Sequence, residues 1–235
     1  MNASSAPLSL DEWPCRLSGV VYGTLLNHGP ALQALAAQLD QPPYKAAPKA
    51  PVLYLKPRNT LARHGDSVTV PADAPELEVG AALGIVIGRT ACRLTTDKAL
   101  DHVAGYTIVN DISVPHESFY RPSVRFRARD GFCPIGPQVV PRAAVADPDA
   151  LQVGVWIDGV LQHQTSTGER VRTVAQLLAD VTDFMTLQPG DVLMLGVSAG
   201  APRARAGQEV AIEIEGLGRL VNHFVAETGK QGDAA

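Results

Sequence analysis

Proline and glycine recur along this whole chain, and they limit the length of any helix or strand that it can form. The 235 residues include 18 prolines and 21 glycines, which are not gathered into one linker or repeat. Proline disrupts a helix interior and removes a hydrogen-bond donor, whereas glycine is favoured in turns. We therefore expect many short elements rather than a few long ones.

Apolar periodicity predicts only three helices. Helical spacing occurs at 30–39, at 95–103 and at 173–185, where Thr173 and Gln176 form a capping box. The inner face of this last helix is predicted to hold Leu177, Leu178, Val181, Phe184 and Met185.

Strand-like runs dominate the rest of the chain. Asp158 and Gly159 lie between two alternating runs, as in the turn of a β-hairpin. No glycine-rich nucleotide loop follows a strand, which argues against a βαβ nucleotide-binding fold. The pattern predicts a β-rich α+β fold. Its predicted strands are 52–56, which we expect to be buried, 66–70, 79–87, 105–113 and 192–196, with hairpins within 151–164 and 208–225.

Composition excludes several classes of partner. The chain is 46% hydrophobic and carries a net charge of −4, so it can bury a full core and offers no basic surface for nucleic acid or an anionic membrane. The run 79–87 is too short to span a bilayer. The first residues lack the features of a signal peptide, and the three cysteines form no CxxC pair. We expect a cytoplasmic protein with reduced thiols.

Two glutamates stand at the head of the apolar run "VGAALGIVIG". Glu76 and Glu78 would point to one face of an extended chain, and paired carboxylates suit a hard divalent cation. Exposed carboxylates are also common where a strand begins. The spacing alone leaves both interpretations open.

Other polar residues gather around "VNDIS" and "RPSVRFRARDG". Asp111 ends an apolar strand, where an aspartate is either a ligand or a turn former. Three arginines at alternate positions would share a face of an extended chain and suit a dicarboxylate, or form a solvated edge. His28 and His116 lie beside these segments and are candidate general bases. The three arginines are Arg125, Arg127 and Arg129, with Arg121 nearby.

Several motifs of the chain resemble those of the fumarylacetoacetate hydrolase family and occur in the same order. They are "LYLKPRNTL", "GIVIG", "VAGYTIVNDIS", "RDGFCPIGP", "LQPGDVLMLG" and "EIEGLGRLVN", and they cover about 20–225. The resemblance implies a mixed β-sandwich roll in a single domain over 21–228, after an N-terminal extension at 1–20 and before a flexible tail at 229–235. It also implies chemistry beside 2-oxo or enol acids, with Mg²⁺ or Mn²⁺ as cofactor.

The combination of "GYTIVNDIS" with "ESFYRP" and "RDGFCPIGP" resembles a narrower group within the family. Its members isomerise or decarboxylate 2-oxo-ene dicarboxylic acids in aromatic catabolism and consist of two related halves, and this chain resembles the N-terminal half. The resemblance implies a homodimer or a hetero-oligomer with a paralogous subunit. Two alternatives are a metal-free pseudo-enzyme that stabilises a catalytic homologue, and a hydrolase of fumarylpyruvate-like diketones.

The resemblance also carries the predicted site, residue by residue. Superposing "IVIG" on the family motif places the two metal-binding glutamates at Gly80 and Ala82, and Glu76 and Glu78 then lie four residues, or roughly 13 Å, too early. Asp111 alone remains as metal ligand, too few for a hard cation. The resemblance implies catalytic roles for Asp111 and Arg127, the latter at the place of the family lysine, and substrate binding by Lys56, Tyr120 and Arg121.

Overall fold

The computed structural model describes residues 17–42, 44–116 and 123–227. Tyr120 and Arg121 lie outside these ranges, as do the predicted tail and most of the predicted extension. The helices are α1 (Gly29–Leu39), α2 (Thr96–Ala99), α3 (Val124–Arg127) and α4 (Val174–Thr182). The strands are β1 (Val21–Leu25), β2 (Val52–Lys56), β3 (Leu61–Arg63), β4 (Ser67–Val70), β5 (Leu77–Glu78), β6 (Ala81–Ile87), β7 (Val103–Asn110), β8 (Cys133–Pro141), β9 (Gln152–Ile157), β10 (Val160–Ser166), β11 (Val192–Met194), β12 (Arg203–Ala204), β13 (Glu209–Ile214) and β14 (Gly218–Ala226).

Two mixed sheets form the body of the molecule, which confirms the predicted β-rich α+β class. The larger sheet has seven strands in the order β2-β1-β11-β6-β7-β8-β3, and the smaller has five in the order β10-β9-β13-β14-β4. Strands β12 and β5 form a separate pair. The main core includes buried residues from both large sheets, as a sandwich requires.

Strand β6 is buried along its full length because both of its faces are covered. Leu83 and Ile85 belong to the main core, whereas Ala82 and Val86 belong to a second apolar cluster. Successive side chains of a strand point to opposite faces, so two apolar layers require an unbroken apolar run. This accounts for the run 79–87.

Helix α4 confirms Thr173 as the N-cap and most of the predicted inner face, but the Gln176 side chain donates to Asp180 instead of completing the predicted capping box. The Thr173 side chain accepts a hydrogen bond from the Gln176 backbone N–H, and Leu177 is wholly buried. The prediction for Phe184 is wrong: the helix ends at Thr182, and Phe184 is 62% exposed. Helical spacing predicts burial only within the helix, and Phe184 lies beyond its last residue.

Strand β2 also differs from its prediction as a buried strand. It lies at one edge of the seven-stranded sheet, and Leu55 is 59% exposed. Among the helices of the described ranges, α1 is the longest with 11 residues, and none is long and apolar enough to cross a bilayer.

Candidate functional site

A cleft of about 170 Å³ lies beside the end of β1, the start of α1 and the loop that follows β7. The loop at 197–201 and the side chain of Arg127 in α3 complete the cleft. The polar residues that line it are Thr24, His28, Tyr54, Glu78, Asp111, Ser113, His116, Arg127 and Ser198.

Asp111 forms the centre of this site, directly after β7. Its carboxylate is wholly buried, with Lys56 Nζ 2.8 Å from Oδ1 and Arg127 Nη1 2.8 Å from Oδ2. The Tyr54 hydroxyl also donates to Oδ2. Burial alone would raise the pKa of Asp111, but Lys56 and Arg127 outweigh it and hold the pKa below its ordinary value. The carboxylate is therefore ionised and paired with two cations.

Lys56 lies beneath the cleft rather than in its wall. Its ammonium is inaccessible to solvent and donates to the carbonyls of Ile112 at 2.7 Å, Arg127 at 2.9 Å and Phe132 at 2.9 Å. These bonds, with the ion pair to Asp111, join β2 to the segments on both sides of α3. These contacts position Asp111, and the predicted role of Lys56 in substrate binding stays a prediction.

The predicted row of arginines on one face is wrong, because the segment is helical. Residues two apart on a helix do not face each other. Arg127 turns inward and is buried, whereas Arg125 and Arg129 pair with Asp73 near the surface, at 3.6 and 2.7 Å. Only Arg127 of these three lines the cleft.

Tyr54 is a cleft residue that sequence reasoning missed. Its ring packs over Gly23 of β1, where a Cβ atom would lie only 2.0 Å from Tyr54 Cζ. The Arg127 guanidinium carbon stands 4.8 Å from the ring centroid, a cation–π contact. Burial and the neighbouring carboxylate raise the pKa of Tyr54, so the hydroxyl stays protonated and donates to Asp111. The pairing of Gly23 with Tyr54 could have indicated this position of the ring. It can be recognised only when the register between β1 and β2 is known.

The two glutamates that opened the apolar run do not act as a pair. Glu76 is held by Arg203 at 2.8 Å and by Arg205 at 3.3 Å. Glu78 lines the cleft and accepts a hydrogen bond from Ser113 Oγ at 3.2 Å. Glu78, one of the two glutamates that the sequence offered as ligands and that the family motif then set aside, therefore lies at the site without its predicted partner.

The two candidate histidines both line the cleft, but His28 is not a free base. Its Nδ1 accepts from the backbone N–H groups of Ala31 at 3.2 Å and Ala199 at 3.1 Å, so the neutral ring carries its proton on Nε2, 3.4 Å from Glu169. Burial lowers the pKa of His28 and favours this neutral form. His116 has Nδ1 2.9 Å from the Val114 carbonyl oxygen.

The residues at this site do not fit Mg²⁺ or Mn²⁺. A Cβ atom at Gly80 would lie 2.4 Å from the Asp111 carbonyl oxygen, and Ala82 is buried in the second apolar cluster. Lys56 and Arg127 pair with the two oxygens of Asp111. Across residues 17–42, 44–116 and 123–227, no three His, Cys, Asp or Glu residues are grouped so that they could hold a metal ion.

A model of a known protein family matches residues 20–225, and its description is "Fumarylacetoacetate (FAA) hydrolase C-terminal". The chain belongs to this family. A curated relative is the 4-hydroxyphenylacetate degradation bifunctional isomerase/decarboxylase of Salmonella dublin, 39% identical over 211 residues, which are 90% of this chain and 48% of the relative. The chain spans about half the length of such relatives.

Solved structures of the same fold agree. The 5-carboxymethyl-2-hydroxymuconate delta-isomerase of Mycobacterium smegmatis superposes with a TM-score of 0.77 at 28% identity, over 91% of this chain and 81% of that one. The maleylpyruvate hydrolase of Sphingobium sp. SYK-6, in complex with manganese(II) ion and pyruvate, has a TM-score of 0.72 at 26% identity, over 89% and 71% of the two chains. The family resemblance and the fold-type prediction are therefore confirmed.

Proposed function

We propose that this chain is a subunit of an isomerase/decarboxylase of 4-hydroxyphenylacetate degradation and acts on 2-oxo-ene dicarboxylic acids. The reactions in question are isomerisation of 2-hydroxyhepta-2,4-diene-1,7-dioate and decarboxylation of 5-oxopent-3-ene-1,2,5-tricarboxylate. The observation that carries the proposal is a buried guanidinium, Arg127, in the cleft of a chain 39% identical to such an enzyme.

Arg127 suits the charge that both reactions develop. Each passes through a dienolate, whose oxygen carries negative charge, and a fixed cation in a cleft shielded from water stabilises it. Burial alone would lower the pKa of Arg127, but Asp111 outweighs it and raises the pKa. The guanidinium therefore stays charged and supplies electrostatic stabilisation rather than a proton.

Glu78 is the residue placed to move the proton in the isomerisation. The enol proton leaves the substrate oxygen, the double bonds shift, and a proton is added to carbon at the far end of the diene. Of the two carboxylates in the cleft wall of the described chain, Asp111 is paired with two cations, whereas the Glu78 side chain accepts a hydrogen bond from the neutral Ser113 hydroxyl. We assign Glu78 as the base that takes up and returns this proton.

The test is a turnover assay on the whole purified chain with 2-hydroxyhepta-2,4-diene-1,7-dioate. Loss of the conjugated-diene absorbance is followed in EDTA and, separately, in Mn²⁺. We expect turnover by the wild type and a drop in kcat of roughly 10²–10⁴-fold for Glu78→Gln, the usual range for a lost general base. Glu76→Gln is the matched control, because Glu76 is held by surface arginines. An inactive wild type, or an unchanged Glu78→Gln enzyme, contradicts the proposal.

A second function is favoured by Gly80 and Ala82, because neither residue carries a carboxylate. A chain without the family's two glutamates suits a metal-free subunit that pairs with a catalytic homologue and stabilises it. The relatives, about twice as long as the matched region, have room for such a second half. This candidate predicts no turnover by the chain alone, together with co-elution with the homologue and a higher Tm for the complex. Independent turnover without any such complex would exclude it.

A further inference from the structure

We infer that Arg127 acts as a built-in cation at the place where the family resemblance puts a divalent metal, so that the cleft binds planar 2-oxo carboxylate anions without metal. The substrate class rests on the proposed function. The replacement of the metal ion by the Arg127 side chain is independent of the proposed function, because it follows from the contacts of Asp111.

The position of the guanidinium is the first observation. Asp111 is the one residue at which the chain keeps a metal ligand of the family pattern. Arg127 Nη1 stands 2.8 Å from its Oδ2, and Lys56 Nζ stands 2.8 Å from its Oδ1. Two cations thus face one buried carboxylate at the floor of the cleft, and Glu78 is a second carboxylate that lines the cleft wall.

The rigidity of the guanidinium is the second observation. One face of it lies over the Tyr54 ring, with 4.8 Å between the guanidinium carbon and the ring centroid. The backbone of the same residue is fixed, because Lys56 donates to the Arg127 carbonyl oxygen at 2.9 Å. A cation held in this way needs no reorganisation when an anion arrives.

The unused donors of Arg127 are the third observation. Nη1 serves Asp111 and, at 3.5 Å, the Tyr54 hydroxyl. Nε is buried, and no residue in the described part of the chain accepts a hydrogen bond from it. Thr24 Oγ1, also on the cleft wall, is buried and likewise has no partner there. Buried polar groups without partners are costly, and a carboxylate that bonds them relieves that cost.

The missing glutamates complete the argument. A divalent ion needs several carboxylates, and here a Cβ atom at Gly80 would meet the Asp111 carbonyl oxygen at 2.4 Å. A guanidinium already has its counter-charge in Asp111. Glutamates at positions 80 and 82 would repel an anion if no metal were bound. Gly80 and Ala82 carry no charge, so they do not repel it.

The test is calorimetric titration of oxalate, a planar dicarboxylate, into the whole chain in EDTA and then in Mn²⁺. We expect saturable binding at one site per chain in EDTA, and no tighter binding in Mn²⁺. Arg127→Met should weaken binding about tenfold or more, as loss of a charge-assisted hydrogen bond does. Arg129→Met, which removes a surface arginine paired with Asp73, should stay within about twofold of the wild type.

Arg127→Lys guards against a variant that fails to fold. It keeps the charge but loses the planar fork, so we expect a folded protein with weakened oxalate binding. Binding by the wild type only in Mn²⁺, or in neither condition, overturns the inference. The diene assay separates the two proposals: turnover without oxalate binding in EDTA rejects the inference alone, and oxalate binding without turnover rejects the proposed function alone.

Discussion

At the scale of single residues, the site depends on one buried carboxylate. Asp111 compensates Lys56 and Arg127, and all three are buried. Such a cluster is costly to assemble, because charges lose their water, and it is more costly to break than to keep. Its stability and its function are therefore inseparable at this position.

Asp111→Asn should destabilise the fold strongly. The neutral side chain leaves two buried cations without a counter-charge, and loss of one partner of a buried pair costs about 3–5 kcal/mol. Urea denaturation measures the free energy of unfolding. Asp73→Asn is the control, since its ion pairs with Arg125 and Arg129 are exposed to solvent and their loss should change the free energy of unfolding far less. Equal effects of the two variants would mean that Asp111 is not the centre of the cluster.

At the scale of elements, His28 joins helix α1 to the loop at 197–201. It is the N-cap of α1, and the same ring nitrogen accepts from Ala31 and from Ala199. One wall of the cleft is therefore anchored to another through an unprotonated Nδ1. Protonation would remove this acceptor and loosen both contacts.

Stability should accordingly fall in mild acid. Burial depresses the pKa of His28 in the folded state, so its contribution is present above the unfolded pKa of about 6.5 and is lost as pH falls through the folded pKa. His28→Asn keeps a capping oxygen but does not titrate. We expect the difference in unfolding free energy between wild type and His28→Asn to shrink from pH 7 to pH 5 in urea titrations. A difference that is constant over this range would contradict the role given to His28.

At the scale of the whole molecule, several large apolar side chains lie on the surface. Leu55, Val124 and Phe184 are each about 60% exposed, at 59%, 65% and 62%. Large exposed apolar groups are typical of interaction surfaces when they cluster. The association between chains that the family resemblance implies stays a prediction.

We predict that the chain is a dimer in solution, either with a second copy or with a paralogous subunit. Light scattering after size exclusion should give twice the mass of one chain. This mass should persist on dilution until the concentration is low enough for the dimer to dissociate. The same measurement with an added catalytic homologue distinguishes the two kinds of dimer. A single-chain mass at every concentration, with and without the homologue, would rule out both.

Local sequence determined most of the elements of this protein. The β9–β10 hairpin follows from Asp158 and Gly159, which take the positive φ values of 50° and 76° that a tight hairpin turn requires. The cap of α4 and the two-sided burial of β6 follow equally from short patterns. The fold family was also recognisable, because its motifs recur in order along the chain.

Only the tertiary structure decided the site. Tyr54, Lys56, Asp111 and Arg127 meet although up to 73 residues separate them, and no period of two or 3.6 residues reports such a contact. The arginine segment was misjudged because three alternating charges fit a strand or a helix equally well, and its packing against β2 and Asp111 made it helical. Sequence therefore specified which charges were available, whereas long-range packing decided which of them were buried, paired and turned toward the cleft.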